Sequence, residues 1–476
     1  MNIEPEVDVI AFLERFFKVK ENGSTVKRET SAGLASFLAI SYILAVNPAI
    51  LGETGMHKGG VFCATILAAS LGTALMAFLA NYPIMLAPAM GLNAFFAYTV
   101  VKTMGFSWQF ALLAVIAEGI IFFLMSVSSI REKVIEAVPL PLKYAMGSGV
   151  GLFITLIAFK NAHIIRDHPE TLLTLQNFAG ENFHTAGISA LLALAGVLIT
   201  AFLLGKKVPG AMLIGILDTW FLGMICQVIG LYHVVPEQGF YSLFPDFSIE
   251  SFLAPFRGFP EVFAASLNPA EWRNAAGVEG WALLKSPDFA VICFAFLFAD
   301  FFDTVGTING AFANTPLMKK DGTIPRLRGA LLADSIATFA GGILGTSTTT
   351  TFAESAIGVN AGARTGLAAL TGVVCFLLAL VAAPIFLAIP GFATAPALIV
   401  VGFMMLRSIQ RLDLDDIRGA IPGYLLICGM MFTYSISDGL GIGVISWCLL
   451  NCTIKGRVNW LLWFISLLFI FRYAFL

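Results

Sequence analysis

Apolar residues along this chain come in runs of about twenty, separated by short polar or basic joints. A helix rises about 1.5 Å per residue, so a run of that length crosses the roughly 30 Å hydrocarbon core of a bilayer. Windows of sustained apolarity fall at 30–49, 61–81, 85–103, 109–128, 141–160, 186–204, 211–231, 288–308, 328–345, 347–362, 366–389, 393–406, 419–434 and 439–454. These fourteen windows predict an all-α polytopic membrane protein. A further apolar stretch, Trp460 to Leu476, suits either an interfacial helix or a fifteenth span. Near the N-terminus, Phe12, Leu13, Phe16 and Phe17 recur at helical spacing among Glu14, Arg15, Lys18 and Lys20. That pattern predicts a helix lying on the membrane surface, with docking onto protein as the other reading. The mixed character of Val7 to Lys20 is unlike the apolar core of a cleavable leader.

The longest joint, about 232–287, leaves seven windows on each side. An odd number of spans per half sets the halves in opposite orientations, the inverted-repeat arrangement of secondary transporters. The third window of each half is the one whose sequence resists continuous helix. In the first, Pro88 and Gly91 precede Asn93; in the second, β-branched residues run from Thr348 to Thr351 before Glu354. Each predicts a short extended piece followed by a half-helix that starts at mid-membrane near Asn93 or near Ala353. Non-helical backbone at that depth is tolerated only where it is buried or lines a cavity.

Composition agrees with the windows. Hydrophobic residues make up 58% of the 476 and charged residues 12%, against roughly 25% charged in soluble domains. The net charge of −2 offers nothing to nucleic acid. Seven cysteines are scattered through apolar runs without a CxxC pair, and no HExxH occurs. The cysteines read as buried hydrophobes, and no metal or cofactor is expected. Lys and Arg fix the orientation. With the N-terminus in the cytoplasm, Lys27 and Arg28, Arg131 and Lys133, Lys206 and Lys207, Lys319 to Arg328, Arg364, Arg407 to Arg418, and Lys455 with Arg457 all fall inside. The 232–287 joint then lies outside, and it carries more acid than base.

Charge within the apolar windows points to chemistry. A carboxylate at a helix centre costs roughly 2.5–3.5 kcal/mol on insertion scales, so each one needs a reason. Asp300 and Asp303 stand three apart on one helical face, extended by Thr304 and Thr307 and walled by phenylalanines. Glu354 adds a third acid from the broken tenth window. Burial and mutual repulsion both favour the protonated carboxyl, so one of these acids can carry a proton near neutral pH. Glu118 sits in the middle of the fourth window, where it is either a structural polar group or a further proton carrier. Asp334, near the start of the ninth window, reads as a helix cap. Asp218 and Asp438 read as structural. Glycine runs such as Gly147 to Gly151 and Gly439 to Gly443 read as close helix packing rather than phosphate loops.

Three stretches together carry a resemblance: Ala87-Pro88-Ala89-Met90-Gly91-Leu92-Asn93-Ala94-Phe95-Phe96; Phe298-Ala299-Asp300-Phe301-Phe302-Asp303-Thr304-Val305-Gly306-Thr307; and Thr349-Thr350-Thr351-Phe352-Ala353-Glu354-Ser355 with the following Gly358 to Gly366. They closely resemble the AzgA-type adenine/guanine/hypoxanthine permeases of the nucleobase/cation symporter-2 family, and the likeness extends over nearly the whole chain. The resemblance implies a seven-plus-seven inverted repeat, with short antiparallel strands in spans 3 and 10 meeting at the substrate site. It implies a core domain at 30–128 and 288–390 and a gate domain at 129–231 and 391–454. Around these lie an N-terminal segment 1–29, an external loop 232–287 and a C-terminal apolar segment 455–476. The implied activity is proton-coupled uptake of hypoxanthine, guanine or adenine across the cell membrane, with no enzymatic step. Asp300, Glu354, Asn93, Phe352 and Thr351 would bind the purine. Asp303, Asp300 and Glu118 are the proton-coupling candidates. The partners expected are the purine, the proton and the bilayer, and a second copy of the chain in a homodimer. Ser355 after Glu354 departs from the Asn-x-Gly signature of the uracil, xanthine and ascorbate branches.

The chemistry suits the resemblance. A purine is flat and presents ring N–H donors, which a carboxylate accepts, while phenyl faces can stack on it. Other readings are a carrier of xanthine or uracil, an anion carrier of the same architecture, a membrane-embedded enzyme, or a channel. Three carboxylates oppose an anion site, and an enzyme would need a nucleophile–base pair or a metal motif.

Overall fold

The computed structural model describes residues 9–128, 139–178, 180, 182–312, 315–318, 324–455 and 458–475. Val7, Arg131, Lys133, Lys319, Lys320, Arg457 and Leu476, used in the sequence reading above, lie outside the described residues. Among the described residues eleven helices are long and apolar enough to cross a membrane, and Ile417–Phe432 and Leu462–Ala474 are shorter apolar helices. The windows at 85–103, 347–362 and 419–434 are the three without a full-length helix.

Two of those three are broken in the same way. Leu86–Pro88 and Thr349–Thr351 are three-residue strands, all six residues buried. They pair antiparallel, Leu86 opposite Thr351, Ala87 opposite Thr350 and Pro88 opposite Thr349. The pairing continues beyond the strands. Ala89 N–H donates to the Thr348 carbonyl at 3.0 Å and Phe352 N–H to the Met85 carbonyl at 3.0 Å. Met85 N–H donates to Ser355 Oγ at 3.0 Å, and Leu86 N–H to Thr73 Oγ1 at 2.9 Å. An unpaired backbone group in a hydrocarbon interior costs several kcal/mol, so two interrupted segments are stable only by satisfying one another. Helix resumes at Met90–Ala94, which widens into a π-helix over Phe95–Thr103. On the other side a 3₁₀ turn, Ala353–Ser355, leads into Ala356–Ala361. Gly362 ends that half-helix at φ +106°, a conformation side chains resist.

Packing elsewhere follows the small residues. A Cβ at Gly151 would stand 2.6 Å from the Gly402 carbonyl, so the Leu140–Asn161 and Gly391–Leu406 helices meet backbone to backbone. The N-terminal helix, Val9–Phe16, is followed by residues docked onto protein, the second of its two readings. Phe17 and Val19 are buried against Ala77, Leu367 and Ala369, while Phe12 and Phe16 stay exposed.

The 232–287 joint is more than a loop. It contains the helix Ile249–Val262, with Pro255 and Pro260 inside it. Gly59 and Gly60 let this helix approach closely, since a Cβ at Gly59 would meet the Ala254 carbonyl at 2.8 Å. Ala264 N–H donates to the Ile343 carbonyl at 2.7 Å and Ser266 Oγ to the Gly342 carbonyl at 3.1 Å. At the other end of the chain, the Trp460–Phe475 helix carries Arg472, which pairs with Asp288 at 2.8 Å and also with Asp438. Asp438 is thus a structural ion-pair partner, as its position among the last spans suggests.

Candidate substrate site at the paired strands

The acids read from the sequence converge on the strand pair, but they divide into two groups. Glu354 lies in the turn after the Thr349–Thr351 strand and is half-buried. Its Oε1 accepts a 2.9 Å hydrogen bond from the buried Tyr42 hydroxyl. The Tyr42 ring stands 6.4 Å from that of Phe352, itself buried. Asp303, on the Pro287–Phe312 helix, has an accessible side chain, with Asp300 and Glu354 as its charged neighbours. A carboxylate within a spanning helix faces a polar cavity rather than lipid, so its accessible surface marks a recess beside the strands. Accessible positions continue from Asp303 to Gly306 and Gly310, where an added Cβ would meet nothing within 4 Å. They continue also from Ala353 to Ile357 and Asn360. The recess therefore runs along both segments toward their C-terminal ends.

Behind the strands lies the second group. Glu118, Asp300 and Asp334 are each fully buried, on the Trp108–Val127, Pro287–Phe312 and Leu327–Leu344 helices. Glu118 Oε2 accepts from the Thr348 hydroxyl at 2.7 Å. The single Thr338 hydroxyl hydrogen is shared between Asp300 Oδ2 at 3.2 Å and the Thr349 carbonyl at 3.0 Å. Asp334 accepts from Thr304, whose hydroxyl lies 2.5 Å from that of Thr350. Glu118 and Asp300 are within hydrogen-bonding distance of one another. Among the described residues each of the three acids keeps one oxygen without a hydrogen-bond donor: Glu118 Oε1, Asp300 Oδ1 and Asp334 Oδ1.

Asn93 is fully buried beside these groups. Its Oδ1 accepts from Ser347 Oγ, and its Nδ2 has no partner. Thr351 is buried within the strand, with its hydroxyl 3.4 Å from that of Thr304. Among the described residues no group of three or more His, Cys, Asp or Glu is disposed to hold a metal ion.

Helical spacing puts Asp300 and Asp303 on one face, and here three residues separate an acid sealed in hydrogen bonds from an acid open to the recess. Asp334 is not a helix cap. It sits in the second turn of its helix, fully buried, and its partners are side chains of other segments. Tyr42 escapes sequence reading, because an aromatic in an apolar window gives no sign that its hydroxyl meets an acid 312 residues away. Thr348 and Thr350 read in sequence only as breakers of helix, and they also tether Glu118 and approach Thr304.

Comparison with known proteins bears on what the arrangement does. A model of the Permease family, Xan_ur_permease, matches residues 27–442. The guanine/hypoxanthine permease PbuO of Bacillus subtilis is 39% identical, over 90% of this chain and 93% of its own. The adenine permease AdeP of Escherichia coli is 35% identical, over 98% of this chain and 96% of its own. Among solved structures, the transmembrane domain of the cyanobacterial bicarbonate transporter BicA superposes with a TM-score of 0.58 at 14% identity, covering 88% of this chain and 97% of that one. At that identity the likeness speaks for the fold alone.

Proposed function

Because this chain belongs to the Permease family, whose members move solutes and are not enzymes, we propose that it carries purine nucleobases across the cell membrane together with a proton. The observation that carries this reading is the pair of accessible carboxylates, Glu354 and Asp303, in a recess at the junction of two broken segments. Relatives matched over nine-tenths of the chain are named for adenine and for guanine/hypoxanthine. A carboxylate accepts ring N–H donors of a purine, and the buried Tyr42 and Phe352 rings stand behind that carboxylate as an apolar aromatic wall.

In this reading the chain crosses the bilayer fourteen times in two inverted halves, with the N-terminus in the cytoplasm. Residues 30–128 and 288–390 form the moving core, 129–231 and 391–454 the gate, and two copies of the chain pair as a homodimer. The recess then opens inward, along Gly306, Gly310 and Asn360. A neutral purine gains nothing from the membrane potential. One accompanying proton draws about 2.3 kcal/mol per 100 mV, enough for roughly 50-fold accumulation.

The fold is shared with a bicarbonate transporter, so an anion carrier is the second reading. Clustered carboxylates with no basic side chain among their described electrostatic neighbours work against it. Uptake of labelled hypoxanthine, adenine, uracil, xanthine and sulfate into proteoliposomes, with an inward proton gradient, tests both. Accumulation of a purine that other purines inhibit and that collapses with the gradient is the expected result. Uptake of sulfate and not of purine would replace this reading with the second.

A further inference from the structure

We infer that Glu118 and Asp300 share one proton between them, and that this pair, buried behind the strands, is where the coupled proton rides. The inference rests on the symport reading above and gives the proton an address within it.

Three observations carry it. First, both carboxyls are fully buried, and they lie within hydrogen-bonding distance of each other. Second, each has one oxygen already engaged, Glu118 Oε2 by Thr348 and Asp300 Oδ2 by Thr338. Among the described residues each also has one oxygen without a hydrogen-bond donor, Glu118 Oε1 and Asp300 Oδ1. A single hydrogen between the two carboxyls supplies the donor that these oxygens lack. Third, among the described residues no basic side chain neutralises the pair. Among the described residues the titratable groups facing it are Asp334 from the Leu327–Leu344 helix and Cys293 and Asp303 from the Pro287–Phe312 helix, none of them basic. Two adjacent unprotonated carboxylates in a dry interior repel strongly, and one shared proton removes that repulsion.

The position of the pair links the proton to the substrate. Asp300 precedes Asp303, on the recess, by less than one helical turn, and Thr348 leads directly into the strand that ends at Glu354. Losing the proton would force Glu118 and Asp300 apart and pull on both elements that present the front carboxylates. The proton enters from external water and leaves to cytoplasmic water; no bond other than O–H is made or broken.

The test compares wild type, E118Q and D303N in proteoliposomes and in detergent. The side-chain amide introduced by E118Q would hold a permanent N–H toward Asp300 in place of the exchangeable proton. In E118Q, uphill accumulation is expected to fall from about 50-fold toward equality. Purine-for-purine exchange in E118Q is expected to persist and to lose its dependence on pH, which a merely structural role would not remove. Infrared spectra should show the C=O stretch of a protonated carboxylic acid in wild type and D303N, and its loss in E118Q. Wild-type accumulation and pH profile in a folded E118Q, or an unchanged carboxylic-acid band, would overturn the assignment. If wild type itself ignores pH gradient and voltage, the symport reading fails, and the infrared band still decides whether the pair holds a proton. A band lost in D303N and kept in E118Q would move the proton to the recess.

Discussion

Two sets of carboxylates sit a few ångströms from one strand pair and live in different physical worlds. Glu354 and Asp303 face an open recess, and Glu354 accepts a hydrogen bond from the Tyr42 phenol. Glu118, Asp300 and Asp334 are sealed behind the strands and tied by threonine hydroxyls from three segments. An accessible acid can exchange water for a ligand at modest cost. A sealed acid must keep its partners, because a stranded buried donor costs about 1–3 kcal/mol. The difference teaches that sign of charge alone does not define a binding site. Accessibility divides recognition from storage of a proton, even between residues three apart on one helix.

This division can be attacked from either side. The largest effect is expected behind the strands. Asp334→Leu removes the acceptor of the Thr304 hydroxyl and leaves it only Thr350 and Thr351 as partners, so stability should fall by about 1–3 kcal/mol. Thermal unfolding in detergent should show a clear drop, whereas Asp303→Leu, which strands no donor, should unfold near the wild-type temperature. An equal loss in both would erase the distinction.

Next comes Glu354→Gln, at the front. A hydrogen bond to a charged group is worth about 1.5–3 kcal/mol, so purine affinity should fall roughly 10- to 100-fold, with folding intact. Unchanged binding by isothermal titration would remove Glu354 from the site. The smallest effect belongs to Tyr42→Phe. It deletes the 2.9 Å bond to Glu354 and keeps the ring. Affinity should change about fivefold, the worth of one ordinary hydrogen bond. No change at all would mean that the phenol does not orient the carboxylate in the bound state.

Much of this arrangement is legible in the sequence, for reasons of contrast. An acid inside an apolar run stands out, so Glu118, Asp300, Asp303 and Glu354 declare themselves. Pro88 and the Thr348–Thr351 run break their windows visibly, and the matching positions of the two windows point to a meeting of strands. The register, Leu86 opposite Thr351, has no such signal, because it depends on how two distant segments dock. Asp334 misleads because nearness to a predicted helix start resembles a cap, whereas its partner Thr304 lies 30 residues earlier. The Ile249–Val262 helix is hidden because Pro255 and Pro260 speak locally against helix, and docking onto Gly59 and Gly60 overrides them. Nothing in the order of residues separates the accessible Asp303 from the sealed Asp300. That distinction belongs to the tertiary structure.

The most direct test of the division is a high-resolution cryo-electron microscopy structure with hypoxanthine bound. The purine is expected in the recess, within hydrogen-bonding distance of Glu354 and beside Asp303 and Phe352, with Glu118 and Asp334 still buried behind the strand pair. A purine in direct contact with Glu118 or Asp334, or one seated away from the paired strands, would contradict the account.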